Sequence, residues 1–153
     1  MKPNIITKPA FKVAGLRYFG NNKNKEIKYL WGSFVKRMKE LDSIENNISY
    51  GVCIMPEEKN EDGSFEYIAC VEVKDINNLP EGMTGRELKE QKYAVFTHKG
   101  SIDNIADTYG EIFNKLLKEN NLEPADAPDL ELYDERFKPY SEESEVDIYI
   151  PIK

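Results

Sequence analysis

The chain has 153 residues, of which 32% are charged and 40% hydrophobic, and its formal net charge is −7. These values are typical of a globular protein, and the length predicts one domain or two small halves that share a core. The apolar runs are too short for a membrane-spanning helix, the N-terminus lacks the apolar stretch of a signal peptide, and no basic stripe favours nucleic-acid binding. We therefore expect a cytoplasmic protein that binds neither membranes nor, directly, nucleic acid.

The first half of the sequence predicts two extended runs, a helix and a hairpin. The extended runs lie in "IITKPAFKVAGLRYFG", where a Lys-Pro pair separates them. In "KEIKYLWGSFVKRMKEL" the apolar residues recur at steps of three and four, which predicts an amphipathic helix. Its apolar stripe consists of Ile27, Leu30, Trp31, Phe34, Val35, Met38 and Leu41. Two strands follow, "ISYGVCIM" and "SFEYIACVEV", joined by the acidic turn "PEEKNEDG".

The second half repeats this order. A crossing strand in "LPEGMTGRELKEQ" leads to the strand "KYAVFTHKG", after which Ser101 is the predicted N-cap of a second helix. The apolar stripe of that helix consists of Ile102, Ile105, Ala106, Tyr109, Ile112, Phe113, Leu116 and Leu117. The strands "DLELYDERF" and "EVDIYIPI" follow, joined by a polar turn around "KPYSEES".

The two halves align without gaps through both helices when the sequence is shifted by 78 positions, which matches Trp31 with Tyr109 and Cys53 with Glu131. This predicts a single domain over residues 1–153, with one repeat at about 1–76 and the other at about 77–153. The predicted fold is α+β, with duplicated βαββ units related by pseudo-twofold symmetry. Its antiparallel sheet carries the two main helices on one side and a central ligand cleft on the other.

Strand alternation gives Glu131 a predicted direction. Leu130 and Leu132 share one face of their strand, and Glu131 shares the other face with Tyr133. If the aliphatic faces cover the helices, Glu131 points away from them. The midpoint of the final hairpin then pairs Glu131 with Tyr149, and the corresponding midpoint in the first half pairs Cys53 with Tyr67.

A carboxylate among aromatic rings is a receptor for an organic cation, because Coulomb attraction adds to cation–π attraction. The pattern therefore predicts a cleft that contains Glu131 and is lined by Tyr67, Tyr133 and Tyr149. The alternative is a solvent-exposed glutamate on the wet face of an antiparallel sheet.

The combined motifs resemble the GyrI-like effector-binding family, which also occurs as the drug-sensing domain of AraC-type and MerR-type transcription regulators. The resemblance is carried by "VAGLR", "LWGSF", "SYGV", "FEYIACVEV", "LPEGM", "KYAVFTHKG", "TYGEIF", "ELYDERF" and "DIYIPIK", in order along the whole chain. It implies the fold of SOUL and GyrI-like proteins and a cleft for hydrophobic cations with a glutamate at its floor. Glu131 matches that glutamate, and Tyr149 matches an aromatic lining position.

Tyr133 and Tyr67 remain candidate lining residues, and Phe96 and Trp31 are further candidates. Trp31 also lies on the core stripe of its helix, and the pattern leaves the facing of Phe96 open. No helix-turn-helix precedes the first strand, so we expect a free-standing effector-binding, drug-sensing or sequestering protein, linked to transcription regulation, whose partner is a cationic aromatic small molecule. No cofactor is expected.

Two other functions remain open at this stage. Some relatives resemble hydrolases of reactive natural products, and in such an enzyme Glu131 is the candidate general base. Inhibition of DNA gyrase, which gives the family its name, suggests a protein-interaction role for the acidic turns.

The cysteines and the histidine offer no other chemistry. Cys53 and Cys70 are predicted to be reduced core thiols, and neither forms a CxxC pair. His98 is the only histidine, so it cannot complete a familiar zinc site with these distant cysteines, and no metal is expected. We interpret His98 as a surface residue of an edge strand.

Overall fold

The computed structural model describes residues 1–153 and contains two compact units. One unit combines Met1–Pro9 with Glu90–Lys153, and we call it the Glu131 unit; the other comprises Ala10–Lys89, and we call it the Trp31 unit. The strands are β1 (Asn4–Lys8), β2 (Phe11–Gly20), β3 (Ile44–Ile54), β4 (Phe65–Val73), β5 (Thr84–Leu88), β6 (Gln91–Lys99), β7 (Asp129–Tyr133) and β8 (Glu145–Pro151). The α-helices are α1 (Glu26–Arg37), α2 (Ile105–Glu111) and α3 (Leu117–Glu119).

The fold is α+β and duplicated, as predicted. Within the Trp31 unit the antiparallel strand order is β3-β4-β2-β5, and within the Glu131 unit it is β7-β8-β6-β1. The orders correspond when each strand of the first repeat is replaced by its counterpart in the second. The short strand that precedes each repeat, β1 or β5, pairs with the long strand of the other repeat. Each compact unit therefore contains most of one sequence repeat together with the first strand of the other repeat.

Helix α1 packs its apolar stripe on the sheet of the Trp31 unit. Phe34 is fully buried there, against the sheet residues Ala14, Ala69 and Val71. The prediction that Val35 belongs to this stripe is wrong, since its side chain is 62% exposed. Successive helical residues are about 100° apart, so a helix that centres Phe34 on the sheet turns the next side chain toward solvent.

The second helical region begins where the sequence indicates. Ser101 accepts a hydrogen bond from the backbone N–H of Asp103 at 3.2 Å, which confirms it as the N-cap. The region then passes from a 3₁₀ turn, Ile102–Asn104, through α2 and a π-helical turn, Ile112–Leu116, to α3. Ile112 is fully buried, whereas Phe113 is 44% exposed, so its predicted place in the stripe is also wrong. No helix of the chain has the length and apolar character needed to cross a membrane.

His98 is a core residue, and its interpretation as an edge-strand surface residue is wrong. Its strand, β6, lies between β1 and β8, and its side chain is 2% exposed. One ring nitrogen lies 2.6 Å from the hydroxyl of Thr108, and the other lies 2.8 Å from the carbonyl oxygen of Ser101. The contacts of His98 with Ser101 and Thr108 therefore connect the end of β6 to the second helical region.

Both cysteines are free thiols of the Trp31 unit, Cys53 on β3 and Cys70 on β4. Cys70 is buried, and this burial raises the pKa of its thiol, which lies 3.3 Å from the carbonyl oxygen of Tyr50. Cys53 is partly buried and lies opposite Tyr67 on the neighbouring strand, which confirms the pairing predicted from the midpoint of the first hairpin.

Candidate functional site

Glu131 lies at the middle of β7 and is only 7% exposed. It lies opposite Ile148 of β8, while Leu130 lies opposite Tyr149. Directly opposed residues project to the same face of an antiparallel sheet. Ile148 belongs to the cluster that packs against the second helical region, so Glu131 faces that region. The predictions that Glu131 pairs with Tyr149 and points away from the helices are therefore wrong.

The error has a physical cause. The observed pairing differs by one residue from the predicted one, and a shift of one residue reverses every side chain. Alternation identifies the side of a strand that packs on a helix only where a single face of the strand is buried. Leu130, Glu131 and Leu132 are all buried, so this strand is covered on both faces and its alternation does not identify the helical side.

Two tyrosine hydroxyls donate hydrogen bonds to the Glu131 carboxylate. The hydroxyl of Tyr109 lies 2.9 Å from Oε2, and the hydroxyl of Tyr133 lies 2.7 Å from Oε1. Tyr133 comes from the same strand, two residues along, whereas Tyr109 comes from α2. Each donor offsets part of the desolvation cost of the buried carboxylate. The result is an acidic group held between a strand and a helix, with a phenol at each oxygen.

Tyr109 was missed as a site residue because its spacing places it on the apolar stripe of its helix. The repeat alignment contained a signal, since it matches Tyr109 with Trp31. In the Trp31 unit, the indole N–H of Trp31 donates to the hydroxyl of Tyr67 at 2.9 Å. Trp31 and Tyr109 thus occupy equivalent positions of the two helices. Each is an aromatic residue that donates a hydrogen bond to a side chain of a strand.

Tyr133 was predicted as a site residue, and the structure brings it to Glu131. Its ring also packs edge-on against Phe137, with 4.8 Å between the ring centroids and 79° between the ring planes. This contact limits rotation of the Tyr133 ring and so helps to direct its hydroxyl toward the carboxylate.

Tyr149 lies on the opposite face of the sheet from Glu131. It pairs with Leu130 and Val95, and its ring packs edge-on against Tyr93 at a centroid distance of 5.5 Å. Burial, with a smaller effect of Asp147, raises the pKa of the Tyr149 hydroxyl above its ordinary value. Within the Glu131 unit, Tyr149 therefore packs with Tyr93 and does not lie beside the Glu131 carboxylate.

The remaining predicted site residues are buried or partly buried aromatics. Phe96 is 1% exposed and packs in the aliphatic cluster of the Glu131 unit. Tyr67 is 2% exposed, and Trp31 packs edge-on against Phe34 in the core of the Trp31 unit. The predicted ligand contacts of these three residues stay predictions.

Asp129 is a second acidic group near Glu131 and is half-buried at the start of β7. Burial, and to a smaller extent the charge of Glu131, raise the pKa of Asp129 from 3.8 to about 7. Because the folded chain holds this proton more tightly than the unfolded chain, the free energy of unfolding falls as the pH rises from about 4 to about 7.

Asp129→Asn is expected to remove this pH dependence, since asparagine resembles the protonated acid. Between pH 5 and pH 8 the unmodified chain should lose about 2 kcal/mol more unfolding free energy than the variant, after allowance for partial exposure. Urea denaturation at both pH values measures the difference. Asp126→Asn, at an exposed residue of the loop that precedes β7, is the matched control. Parallel pH profiles for the unmodified chain and Asp129→Asn would contradict the assignment.

Comparison with protein families and curated proteins gives consistent results. The model of the GyrI-like small molecule binding domain matches residues 1–153. The transcriptional regulator BrlR of Pseudomonas aeruginosa is 41% identical over 154 residues, a match that covers 99% of this chain and 56% of BrlR. The chain therefore spans little more than half the length of this relative.

Solved structures share the fold at low sequence identity. The structure of SAV2435 bound to tetraphenylphosphonium has a TM-score of 0.73 and 18% identity, covering 100% of this chain and 94% of that one. A cryo-EM structure of an EcmrR–DNA complex has a TM-score of 0.76 and 16% identity, covering 99% of this chain and 57% of that one.

Proposed function

The chain belongs to the GyrI-like small molecule binding family, and from this we propose that it binds cationic, aromatic small molecules at Glu131. The observation that carries the proposal is the geometry of the carboxylate, which is 7% exposed and accepts hydrogen bonds from the phenols of Tyr109 and Tyr133. The fold it shares with SAV2435, which is bound to tetraphenylphosphonium, supports this choice of ligand class.

The carboxylate supplies the charge recognition. In a site with little water, the attraction between a carboxylate and an organic cation is much stronger than it is in bulk solvent. A hydrophobic cation also loses little hydration when it enters such a site, unlike a compact ammonium group. The net charge of −7 favours the approach of cations over anions.

The tyrosines supply the aromatic surface. Tyr109 and Tyr133 bind the carboxylate through their hydroxyls, which brings both aromatic side chains to the proposed site. A cation that reaches Glu131 therefore meets ring surfaces as well as charge, and each ring adds about 0.5–2 kcal/mol by cation–π attraction. The proposed site includes Tyr133, which the sequence predicts, and Tyr109, which the structure places at the carboxylate. Tyr149 is not included, because it projects from the other face of the sheet.

The relatives support a sensing role in transcription regulation. BrlR is a transcriptional regulator, and EcmrR is found in complex with DNA. We propose that this chain contributes the effector-binding step of such regulation. The expectation that the chain itself does not bind nucleic acid stays a prediction.

The enzymatic and gyrase-inhibitor hypotheses receive less support from the site. Both oxygens of Glu131 accept a phenol hydrogen bond, so a general base at this position would have to exchange one of these bonds for a bond to the attacking water. The acidic turns carry no feature that selects a protein partner. Both hypotheses stay predictions.

The proposal is tested by comparing tetraphenylphosphonium with tetraphenylborate, which has nearly the same shape and the opposite charge. Isothermal titration calorimetry at neutral pH should show that the cation binds at least about tenfold more tightly than the anion, because only the cation is attracted to Glu131. Equal affinities would reduce the site to a purely hydrophobic one, and tighter binding of the borate would overturn the proposal.

A further inference from the structure

The direction of Glu131 depends on a short stretch of strand pairing. Three residue pairs connect β7 to β8: Leu130 with Tyr149, Glu131 with Ile148, and Leu132 with Asp147. A shift of one residue would turn the Glu131 side chain to the other face and away from Tyr109. So short a ladder specifies its register weakly by itself, and groups at the end of the hairpin can fix it.

Arg136 joins the two strands just beyond the last of these pairs. Its Nε and Nη2 donate to the two carboxylate oxygens of Asp134 at 2.9 and 3.0 Å. Its Nη2 also donates to Oδ2 of Asp147 on β8 at 2.7 Å. Asp134 directly follows β7, so one guanidinium connects the end of β7 to a defined position on β8. Planar, forked geometry of this kind is restrictive in a way that a lysine contact is not.

The bridge extends to a third strand. The hydroxyl of Thr97 on β6 donates to Oδ1 of Asp147 at 2.8 Å. The side chains of Asp134 and Asp147 are 16% and 17% exposed, and that of Arg136 is 33% exposed. Ion pairs with this degree of burial are screened less by salt than surface pairs are. Asp147 thus accepts one hydrogen bond from Thr97 on β6 and another from Arg136. The bond from Thr97 holds the carboxylate in place for Arg136.

Backbone contacts reinforce the same alignment. The N–H of Arg136 donates to the side chain of Asp134 at 3.0 Å, and its carbonyl oxygen accepts from the N–H of Glu145 at 3.1 Å. Phe137, the next residue, packs against the ring of Tyr133. The contacts of Arg136 therefore fix the backbone that follows Tyr133. They also position Phe137, whose ring packs against the ring of Tyr133.

We propose that Arg136 is a positioning residue for the ligand site, which by bridging Asp134 and Asp147 fixes the register that turns Glu131 toward Tyr109. Arg136 does not contact the ligand in this proposal, and it acts through Glu131 and Tyr133. The inference rests on the proposed binding of organic cations at Glu131.

A double-mutant cycle tests the inference with tetraphenylphosphonium as the probe. Arg136→Gln is expected to weaken binding about tenfold, since a misplaced carboxylate loses most of its interaction with the cation. Combined with Glu131→Gln, the same substitution should cause little further loss, because there is then no charge left to position. Equal losses in the two backgrounds would show that Arg136 does not act through Glu131 and would overturn the proposal.

Two further variants separate positioning from a general loss of stability. Asp147→Asn weakens the same bridge more gently and should reduce affinity in the same direction. Arg86→Gln disturbs an ion cluster in the Trp31 unit, where Arg17 and Arg86 both contact Glu66, and should leave affinity unchanged. Hydrogen–deuterium exchange of the peptide containing β7 should increase in the Arg136 and Asp147 variants but not in the Arg86 variant. If exchange in β7 were unaltered in Arg136→Gln, the inference would fail.

The failure of this inference can be distinguished from failure of the proposed function. If Glu131→Gln weakens binding of tetraphenylphosphonium and Arg136→Gln does not, only the positioning role is excluded. If Glu131→Gln binds the cation as tightly as the unmodified chain does, the proposed function fails and the positioning role fails with it.

Discussion

Glu131→Gln is expected to weaken the binding of tetraphenylphosphonium by about a hundredfold, because it removes the charge that attracts the cation in a poorly hydrated site. Glutamine keeps nearly the same volume, and its carbonyl oxygen can still accept a hydrogen bond from the phenol of Tyr109 or Tyr133. The loss of affinity should therefore be largely electrostatic. Isothermal titration calorimetry of both proteins measures it, with circular dichroism to compare their folds.

Glu123→Gln is the matched control for this experiment. Glu123 is exposed and pairs with Lys153, so its replacement makes the same change in net charge away from the carboxylate that the tyrosines hold. We expect its affinity to stay within about twofold of that of the unmodified chain, since exposed charges are screened by salt. If the two variants lost affinity equally, the effect would come from net charge, and the assignment of Glu131 as the binding carboxylate would be wrong.

The duplication and the element order were predictable from sequence because both depend on local, periodic information. Apolar residues at helical spacing located both helices, and alternating apolar runs located the strands. The cap at Ser101 was also predictable, since a cap depends on a short segment. The midpoint of the first hairpin gave the observed pairing of Cys53 with Tyr67. The family motifs single out Glu131 as the candidate carboxylate, and its role in ligand binding stays a prediction. The structure shows that it is buried and accepts a hydrogen bond from Tyr109.

The direction of Glu131 was not predictable because it depends on a register that local pattern does not set. A hairpin midpoint locates strand pairing only to within a residue or two, so the same estimate matched the observed pairing between β3 and β4 and missed it by one residue between β7 and β8. The groups that select the register, Arg136 and Asp147, look like surface charges in the sequence. The pairing of β1 with β6 and of β5 with β2, which exchanges short strands between the repeats, is likewise set by tertiary packing. It leaves no periodic pattern of apolar residues in the sequence.

Phe34→Ala is expected to lower the free energy of unfolding by about 3–5 kcal/mol, because it removes a large, fully buried side chain and leaves a cavity. Phe34 is the one fully buried residue of α1 and contacts the ring of Trp31 edge-on, so the cavity would open between the helix and its sheet. Urea denaturation monitored by circular dichroism measures the loss. A loss below about 1 kcal/mol would contradict the observed packing of α1.

Val35→Ala, at the next position, is the internal control and distinguishes the observed helix orientation from the one predicted by sequence. Both residues lie on the predicted stripe, but Val35 is 62% exposed, so its replacement should change stability by less than about 0.5 kcal/mol. The repeat alignment matches Phe34 with Ile112 and Val35 with Phe113. Ile112 is buried and Phe113 is 44% exposed, so Ile112→Ala and Phe113→Ala should differ in the same sense. Such agreement would show that the duplicated helices keep one orientation, which is the orientation that aims Tyr109 at Glu131.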